Sequence, residues 1–245
     1  MGLPRVIHVS KYYLPFRGGL ETVVRELCTG LHALGVPVEI LASATGRKAS
    51  REEWEGIQVT KLSRWATVRS APCSPAAVAF FRREKPDLFH FHFPNPGMEM
   101  AWLASGNRTP VVVTYHANIV RQKILRRVYD PLLRRFFGRV AAVSVPTPFH
   151  IQYSPILSRL PERCVVIPFG FSPDEYRLTP GVQKKLEELR QRFPGEPPAL
   201  FIGRLVPYKG VTVLLDALAR TTGRLVVLGG GPEETRLRAQ AAKLG

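Results

Sequence analysis

The amino-acid sequence predicts an α/β protein with a doubly wound parallel sheet. Short apolar runs alternate with stretches of helical periodicity along most of the 245 residues. Several of these runs are rich in β-branched residues, as is usual for strands that are buried on both faces. Together these observations form the sequence pattern of consecutive βαβ units.

The first elements illustrate this pattern. A strand is predicted over Val6–Val9 and a helix over Leu20–Leu34, because apolar residues recur there at helical spacing. Gly35 occupies the position of a helix C-cap. The remaining elements of the first half are expected, in order, at Val36–Ala42, Ile57–Leu62, Val78–Arg83 (a helix), Leu88–Phe93, Val111–Tyr115, Val140–Val145 and Val165–Pro168.

The pattern starts again after a break in composition. Residues 169–198 combine Pro, Gly and charged residues and are interpreted as a hinge, which gives a first domain of residues 1–168. Residues 199–245 are expected to contain strands at 199–203 and 224–228 and helices at 211–218 and 233–244. Two strands are fewer than a doubly wound domain needs to cover its sheet. The sequence therefore predicts one complete domain and a truncated second one.

Charge and cysteine usage limit the classes of partner. The formal net charge of +16 favours phosphorylated substrates, nucleic acid or anionic lipid. No helix-turn-helix, RNA-recognition or zinc-finger signature occurs, so nucleic acid is not expected as a partner. The three widely spaced cysteines favour a reducing, cytoplasmic location. No run of about 18 apolar residues predicts a membrane-spanning helix.

Two candidate sites follow predicted strands of the first domain. Gly18 and Gly19 precede the first helix, where backbone N–H groups can approach a phosphate; the alternative is a flexible turn. His116 ends the strand Val111–Tyr115, and ligands of open α/β sheets bind beyond the carboxyl ends of strands. The alternative for His116 is a loop histidine that is satisfied by its neighbours.

The fourth predicted strand alternates histidine with phenylalanine. Period two places His90 and His92 on one face and the phenylalanines on the other. A His-x-His metal pair is conceivable, but no third carboxylate or thiol ligand is indicated. The four aspartates include no pair two residues apart, so an Asp-x-Asp site is not expected either. The sequence therefore predicts no metal site.

The second domain supplies cations and glycines at its strand ends. Arg204 and Lys209 follow the first strand and can clamp a diphosphate; the alternative is a pair of solvated surface cations. After the next strand, a further contact with an anion or a nucleoside is predicted for Gly230, Gly231 and Glu233, with a tight turn as the alternative.

These motifs, taken in order, resemble those of group 4 glycosyltransferases with the GT-B fold. The resemblance rests on Gly-Gly-Leu-Glu at 18–21, Val-Thr-Tyr-His at 113–116, Gly-Arg-Leu-Val-Pro-Tyr-Lys-Gly at 203–210 and Gly-Gly-Gly-Pro-Glu at 229–233. The segment Tyr115–Lys123 is similar to the bacterial O-antigen mannosyl- and rhamnosyltransferase branch. The resemblance covers nearly the whole chain and implies a complete Rossmann-like domain followed by the start of a second one.

The resemblance also implies an activity. A hexose, mannose or rhamnose in the nearest branch, would pass with retention from a nucleotide diphosphate sugar to a lipid-linked glycan, without a further cofactor. His116 would lie beside the transferred sugar at the domain cleft, and Arg204 and Lys209 would neutralise the leaving diphosphate. The donor side would also include Gly18, Gly19, Gly230, Gly231 and Glu233. The acceptor side would include Glu21, His92, Tyr115 and Asn118.

One family motif does not occur in residues 199–245. This motif, Glu-x7-Glu, is expected further along the second domain, where it contacts the nucleoside and the sugar. The alternative function is therefore an inactive remnant that binds an acceptor or a membrane without turnover.

A basic amphipathic stretch over residues 121–139 carries seven Lys or Arg and one Asp. Such a helix can lie on an anionic membrane, which predicts a peripheral location on the inner face of the plasma membrane. The alternative is a pair of core-packed helices with a solvated basic face, and Pro131 is expected to kink or break the helix. The side chains expected to face the membrane are Arg126, Arg127, Arg134 and Arg135.

Overall fold

The structure is a computed structural model that describes residues 2–16, 18–68, 71–118 and 123–245. Within these ranges, the side chains at 68, 123–128, 174 and 175 lie outside the description. The chain divides into two compact units, Met1–Ser172 and Pro173–Gly245, called here the first and the second unit.

Eight strands of the first unit form a single sheet. The strands of this unit are β1 (Val6–Val9), β2 (Val38–Ser43), β3 (Ser50–Trp54), β4 (Ile57–Leu62), β5 (Ala66–Val68), β6 (Ala71–Cys73), β7 (Leu88–Phe93), β8 (Val111–Tyr115), β9 (Ala142–Val145) and β10 (Cys164–Val166). The sheet order is β10-β9-β8-β7-β1-β2-β4-β3, and β5 and β6 form a separate antiparallel pair. Every neighbouring pair in the large sheet is parallel except β3 and β4. The predicted α/β class with a parallel sheet is thus confirmed.

Strand β3 is an element that the sequence pattern missed. Its residues are mostly polar and exposed, so no apolar run marks it. It pairs with β4 through a two-residue turn in which Glu55 and Gly56 both have positive φ, 51° and 78°. Turns of this kind match the twist of antiparallel hairpins. The strand therefore forms an antiparallel edge on an otherwise parallel sheet.

Helices cover both faces of the sheet. The helices of the first unit are α1 (Gly19–Ala33), α2 (Ala76–Arg83), α3 (Pro96–Ser105), α4 (Lys123–Phe137) and α5 (Pro148–Tyr153). On one face α1 buries Val24 and Cys28 in a cluster with Ile40 of β2. On the other face Trp102 and Phe136 pack their rings against Phe91. Burying one such large side chain contributes about 1.5–3 kcal/mol, so these contacts stabilise the packing of the helices on the sheet.

Gly35 lies after the end of α1 as predicted, whereas Pro131 does not break α4. Gly35 follows α1 with φ 83°, in the left-handed conformation expected of a residue after a helix. Pro131 does not break α4, which runs through it from Lys123 to Phe137. A proline removes one backbone hydrogen bond, and the core packing of Leu133, Phe136 and Phe137 offsets that loss.

The second unit contains a parallel pair of strands and three helices. They are α6 (Pro180–Arg192), β11 (Ala199–Ile202), α7 (Val211–Leu218), β12 (Leu225–Leu228) and α8 (Glu234–Leu244). Leu205, Val211 and Leu237 form its small core. Within the predicted hinge, Thr179 caps the start of α6, because its side chain accepts a hydrogen bond from the Val182 N–H. None of the residues of α6 is buried.

Four short 3₁₀ segments complete the secondary structure, at Leu157–Arg159, Pro161–Arg163, Pro173–Tyr176 and Pro207–Lys209. Among the described residues, every helix is too short or too polar to cross a membrane.

Candidate functional site

The carboxyl edge of the parallel sheet carries His116, the first residue after β8. Its backbone N–H donates a hydrogen bond to the carbonyl of Phe93 at the end of the neighbouring β7, with an N···O distance of 3.1 Å. Its half-buried imidazole stacks on Phe169, with ring centroids 5.1 Å apart. The structure therefore holds the His116 ring in a defined orientation at the edge where open α/β sheets bind ligands.

Four imidazoles form what we call the histidine row: His8, His90, His92 and His116. Strands β1 and β7 pair so that His8 and His90 are direct neighbours, with ring centroids 4.6 Å apart. His92 lies two residues further along β7 on the same face and stacks on His90 at 4.9 Å. The phenylalanines of β7 point into the opposite core, as period two predicts.

Hydrogen bonds connect three members of the histidine row. The Nδ1 atom of His8 lies 3.2 Å from Nε2 of His92, and Nδ1 of His92 lies 3.1 Å from Nε2 of His116. His90 is not part of this chain, because its Nε2 pairs with the hydroxyl of Thr114 at 2.7 Å. The buried His92 thus links the fully buried His8 to His116 at the sheet edge.

Burial keeps these imidazoles neutral. Desolvation, together with a smaller effect of one neighbouring histidine in each case, lowers the pKa of His116 and of His90 to about 4. The pKa values of His8 and His92 also lie well below the usual histidine range, chiefly through burial. A neutral imidazole offers one N–H donor and one acceptor nitrogen, so the row acts near neutral pH through hydrogen bonding rather than through charge.

The proximity of three histidines raises the question of a metal ion. One nitrogen from each of His8, His90 and His92 lies within 4.8 Å of the others, so His8 is a third imidazole beside the predicted pair. The His90 and His92 rings, however, are stacked with an interplanar angle of 11°. Imidazole lone pairs lie in the ring plane, so stacked rings direct them side by side rather than toward one ion. The arrangement does not fit a tetrahedral site.

Three of the four predicted acceptor-side residues are buried, namely Glu21, His92 and Tyr115. The Tyr115 ring is 1% exposed and stacks on Phe93, and its hydroxyl donates a hydrogen bond to Oδ1 of Asn118 at 2.8 Å. The same hydroxyl pairs with Oγ of Ser154 at 3.0 Å. Neither Tyr115 nor the fully buried His92 offers a surface to an acceptor. Each positions a neighbour instead, the exposed Asn118 in one case and His116 in the other.

The predicted phosphate-binding turn contains an acidic side chain. Gly18 precedes α1 in an extended conformation, and a Cβ atom added there would lie 2.4 Å from Oε2 of the buried Glu21. A phosphate approaching at Gly18 would therefore meet a carboxylate. Gly19 is open, since no heavy atom lies within 4 Å of a Cβ added there. A donor phosphate at this turn stays a prediction, and Gly19 is the position with room for it.

Glu99 is a buried carboxyl group that the sequence pattern does not indicate. Glu99 is 1% exposed on α3, accepts a hydrogen bond from the Asn95 N–H at 2.7 Å and accepts another from the Tyr129 hydroxyl. Desolvation raises its pKa to about 7, although both hydrogen bonds act in the opposite direction. A single glutamate between two methionines at the start of a helix carries no sequence signal for such burial.

In the second unit, two loops that carry predicted donor-binding residues lie against each other. We call residues 203–210 and 229–233 the loop pair. The Leu205 N–H donates to the Gly230 carbonyl at 2.9 Å, and the Glu233 N–H donates to the Leu205 carbonyl at 3.2 Å. Gly231 lies so close that an added Cβ would be 2.4 Å from the Leu205 oxygen. The structure thus brings the Arg204 loop and the glycine-rich turn together.

The charged residues of the loop pair differ in their partners. Arg204 and Lys209 are exposed, and neither forms an ion pair with any residue that the structure describes. The Lys209 ammonium lies 5.8 Å from the Tyr208 ring centroid. Glu233 forms an ion pair with Arg236 at 3.0 Å, so its carboxylate is engaged within its own helix region. The two cations are the charged groups here that can meet an anionic ligand.

The basic helix has its apolar side in the core of the first unit. Leu133, Phe136 and Phe137 are buried, while Arg134 and Arg135 are exposed. The side chains of Arg126 and Arg127 lie outside the described residues. In the described part of α4, the solvated face is therefore basic and the apolar face is not free to enter a lipid layer.

Two family models together match most of the chain. The model of Glycosyltransferase Family 4 matches residues 17–175, and the model of Glycosyl transferases group 1 matches residues 183–245. O-antigen chain mannosyltransferase C of Escherichia coli is 32% identical over 244 residues, and D-rhamnosyltransferase WbpZ of Pseudomonas aeruginosa is 33% identical over 244 residues. Both alignments cover 98% of the chain, which spans just under two thirds of the relatives, 65% and 63%.

A solved structure shares the fold. HepE from Anabaena, in complex with UDP-glucose, superposes with a TM-score of 0.65 over 99% of this chain and 66% of its own. The sequence identity is 18%, so this likeness concerns the fold alone.

Proposed function

The chain belongs to Glycosyltransferase Family 4, and we propose that it transfers a sugar from a nucleotide diphosphate sugar to a glycan acceptor. The loop pair carries this proposal. It presents Arg204 and Lys209 without acidic partners among the described residues, beside a glycine-rich backbone turn at the carboxyl ends of β11 and β12. Such a combination of cations and close backbone suits a diphosphate.

Each proposed role follows from the chemistry of transfer. As the bond to the sugar breaks, negative charge develops on the diphosphate, and Arg204 and Lys209 stabilise it in place of a metal ion. His116 contacts the transferred sugar with a neutral imidazole. The open turn at Gly19 is the proposed contact of the first unit with the donor phosphates.

The proposal also specifies the transferred sugar, the stereochemistry of transfer and the acceptor. The names of two relatives specify mannosyl and D-rhamnosyl transfer, which supports mannose or rhamnose as the transferred hexose. We propose that the configuration at the anomeric carbon is retained, and that the acceptor is a glycan linked to a lipid. A lipid-linked acceptor in turn supports a cytoplasmic protein that contacts the inner face of the plasma membrane.

The transfer reaction can be tested directly. The chain is incubated with GDP-mannose, GDP-rhamnose or UDP-glucose and a lipid-diphosphate glycan, and products are followed by mass spectrometry. We expect one donor to give an acceptor that is one hexose heavier, with the anomeric configuration of the donor by NMR. The substitution Lys209→Ala should lower turnover by roughly 10²–10³-fold, more than it weakens donor binding. The matched control is Lys243→Ala, at an exposed lysine of α8.

Two outcomes would contradict the proposal. Unchanged turnover in Lys209→Ala would show that the diphosphate binds elsewhere. Donor binding without transfer to any acceptor would favour the alternative, a binding module without turnover.

Membrane contact has its own test. Arg134 and Arg135 are the described basic side chains that would meet anionic lipid. Because the apolar face of α4 is buried in the protein, binding to the membrane would depend on electrostatic attraction. Sedimentation with anionic vesicles should weaken with added salt, because charges are screened beyond about 8 Å at physiological ionic strength. The double change Arg134→Gln/Arg135→Gln should weaken it too, whereas Arg190→Gln/Arg192→Gln on α6 serves as the control. Binding that ignores lipid charge would contradict this part.

A further inference from the structure

The hydrogen-bonded chain His8–His92–His116 restricts where its protons can be. Both ring nitrogens of His92 are engaged, Nε2 with His8 and Nδ1 with His116. A neutral imidazole carries one proton and one lone pair, so His92 must donate to one neighbour and accept from the other. The three tautomers are therefore coupled.

Only two neutral arrangements satisfy both hydrogen bonds. In the first, every ring carries its proton on Nε2: His116 donates to His92, and His92 donates to His8. In the second, every ring carries its proton on Nδ1: His8 donates to His92, and His92 donates to His116. The arrangements differ at the two ends of the chain, at Nε2 of His8 and at Nδ1 of His116.

The buried end of the chain decides between them. Nε2 of His8 is buried and has no hydrogen-bond partner among the described residues. The first arrangement would place an N–H donor there without an acceptor, whereas the second leaves only a lone pair. Orphaned buried N–H groups are rarer in proteins than under-satisfied acceptors. We infer that His8 and His92 are positioning residues that hold His116 in its Nδ1–H tautomer, so that the nitrogen of His116 outside the chain is a hydrogen-bond donor.

The functional consequence of this tautomer rests on the proposed function, in which His116 contacts the transferred sugar, and it specifies the kind of contact that His116 makes. A donor at Nδ1 recognises an oxygen lone pair of the sugar or of the acceptor. It cannot abstract a proton from an acceptor hydroxyl, so His116 does not serve as a general base through this nitrogen. These three histidines also do not conduct a proton from His116 to His8. An imidazolium at the fully buried His8 would lack both solvent and an acidic partner among the described residues.

The tautomer can be observed without substrate, so the result does not depend on whether transfer occurs. The chain is labelled with ¹⁵N-histidine, and long-range ¹H–¹⁵N correlation spectra at pH 7.5 distinguish protonated from bare ring nitrogens. In the unaltered chain we expect the Nδ1–H form of His116 in at least about tenfold excess, since an unsatisfied buried donor shifts an equilibrium by roughly that factor. A dominant Nε2–H form would overturn the inference.

Substitutions test the coupling. His92→Phe keeps a ring of similar size but removes the hydrogen bond to Nε2 of His116, so it should reduce the Nδ1–H excess of His116 to a mixture of both forms. His8→Phe instead leaves Nε2 of the buried His92 as the atom without a partner, so the Nδ1–H excess of His116 should persist. His90→Phe is the matched control, because His90 stacks in the same row without bonding to His116. It should leave the tautomer of His116 unchanged. An unchanged excess in His92→Phe, or a loss of the excess in His8→Phe, would show that the hydrogen-bonded histidines do not set the tautomer.

Discussion

Replacing Glu99 by glutamine should remove a pH dependence that this carboxyl imposes on the stability of the first unit. Glu99 is almost fully buried, and its two hydrogen-bond donors, the Asn95 N–H and the Tyr129 hydroxyl, do not compensate for the lost solvent. Desolvation therefore raises its pKa from 4.5 to about 7 in the folded protein. The fold favours the protonated form.

The sign and the size of the effect follow from linkage. The stabilising contribution of the protonated group is fully present below pH 4.5 and is lost as the pH rises through 7, where the carboxylate must be buried with a charge. A difference of this size corresponds to about 3 kcal/mol, since one unit of pKa is about 1.4 kcal/mol. Glutamine keeps the acceptor oxygen and does not titrate. The free energy of unfolding of Glu99→Gln, relative to that of the unaltered chain, should therefore rise by about 3 kcal/mol from acidic pH to pH 8.

Urea unfolding followed by tryptophan fluorescence measures this difference. All three tryptophans, at positions 54, 65 and 102, lie in the first unit, so the signal reports that unit. The control is Glu53→Gln, which removes the same charge at a solvated position of the edge strand β3, so an effect common to both variants would not come from burial. A flat difference for Glu99→Gln would refute the reasoning, because it would mean that the folded carboxyl titrates like an unfolded one.

Two further predictions concern the histidine row and the loop pair. Burial lowers the pKa of His90 to about 4, so its stabilising contribution is present above pH 6.5 and lost as the pH falls toward 4. His90→Gln should reduce the acid-induced loss of unfolding free energy by about 3 kcal/mol, and an equal loss in variant and unaltered chain would contradict this. Gly229 has φ 147°, and an added Cβ would lie 1.9 Å from the Gly203 oxygen. Gly229→Ala should lower the free energy of unfolding by about 1–3 kcal/mol and speed amide hydrogen exchange at Leu205. Gly230→Ala is the control and should do neither, because its Cβ would meet only Glu234 at 3.9 Å.

The sequence located most of the sheet because its signal is local. Strands β1, β4, β7 and β8 begin and end where their apolar runs do. The elements that it missed carry a misleading local signal. Helix α3 begins with Pro96 and Gly97, which suggest a loop, yet proline is well suited to the first position of a helix. Edge strand β3 is polar because one side of it faces solvent.

The candidate site divides in the same way. The position of Arg204 and Lys209 after a strand could be predicted, because it follows from the order of elements along the chain. Their loop and the glycine-rich turn meet because β11 and β12 pair in parallel, and two consecutive strands of a βαβ unit commonly do so. Burial of His92 and Tyr115 agrees with strands that are covered on both faces, but the groups that they contact depend on which elements become neighbours in the whole fold.

By itself, the sequence determined the α/β class, the face of β7 that carries histidine and the cations at the strand ends, since each depends on periodicity or on chain order. Only the tertiary structure brought His8 beside His92, 84 residues away, and Tyr129 onto Glu99. Those contacts depend on which strands become neighbours and on which helix covers them. Burial then shifts the pKa values of these groups and couples their hydrogen bonds, because desolvation acts on a side chain only when the folded protein surrounds it.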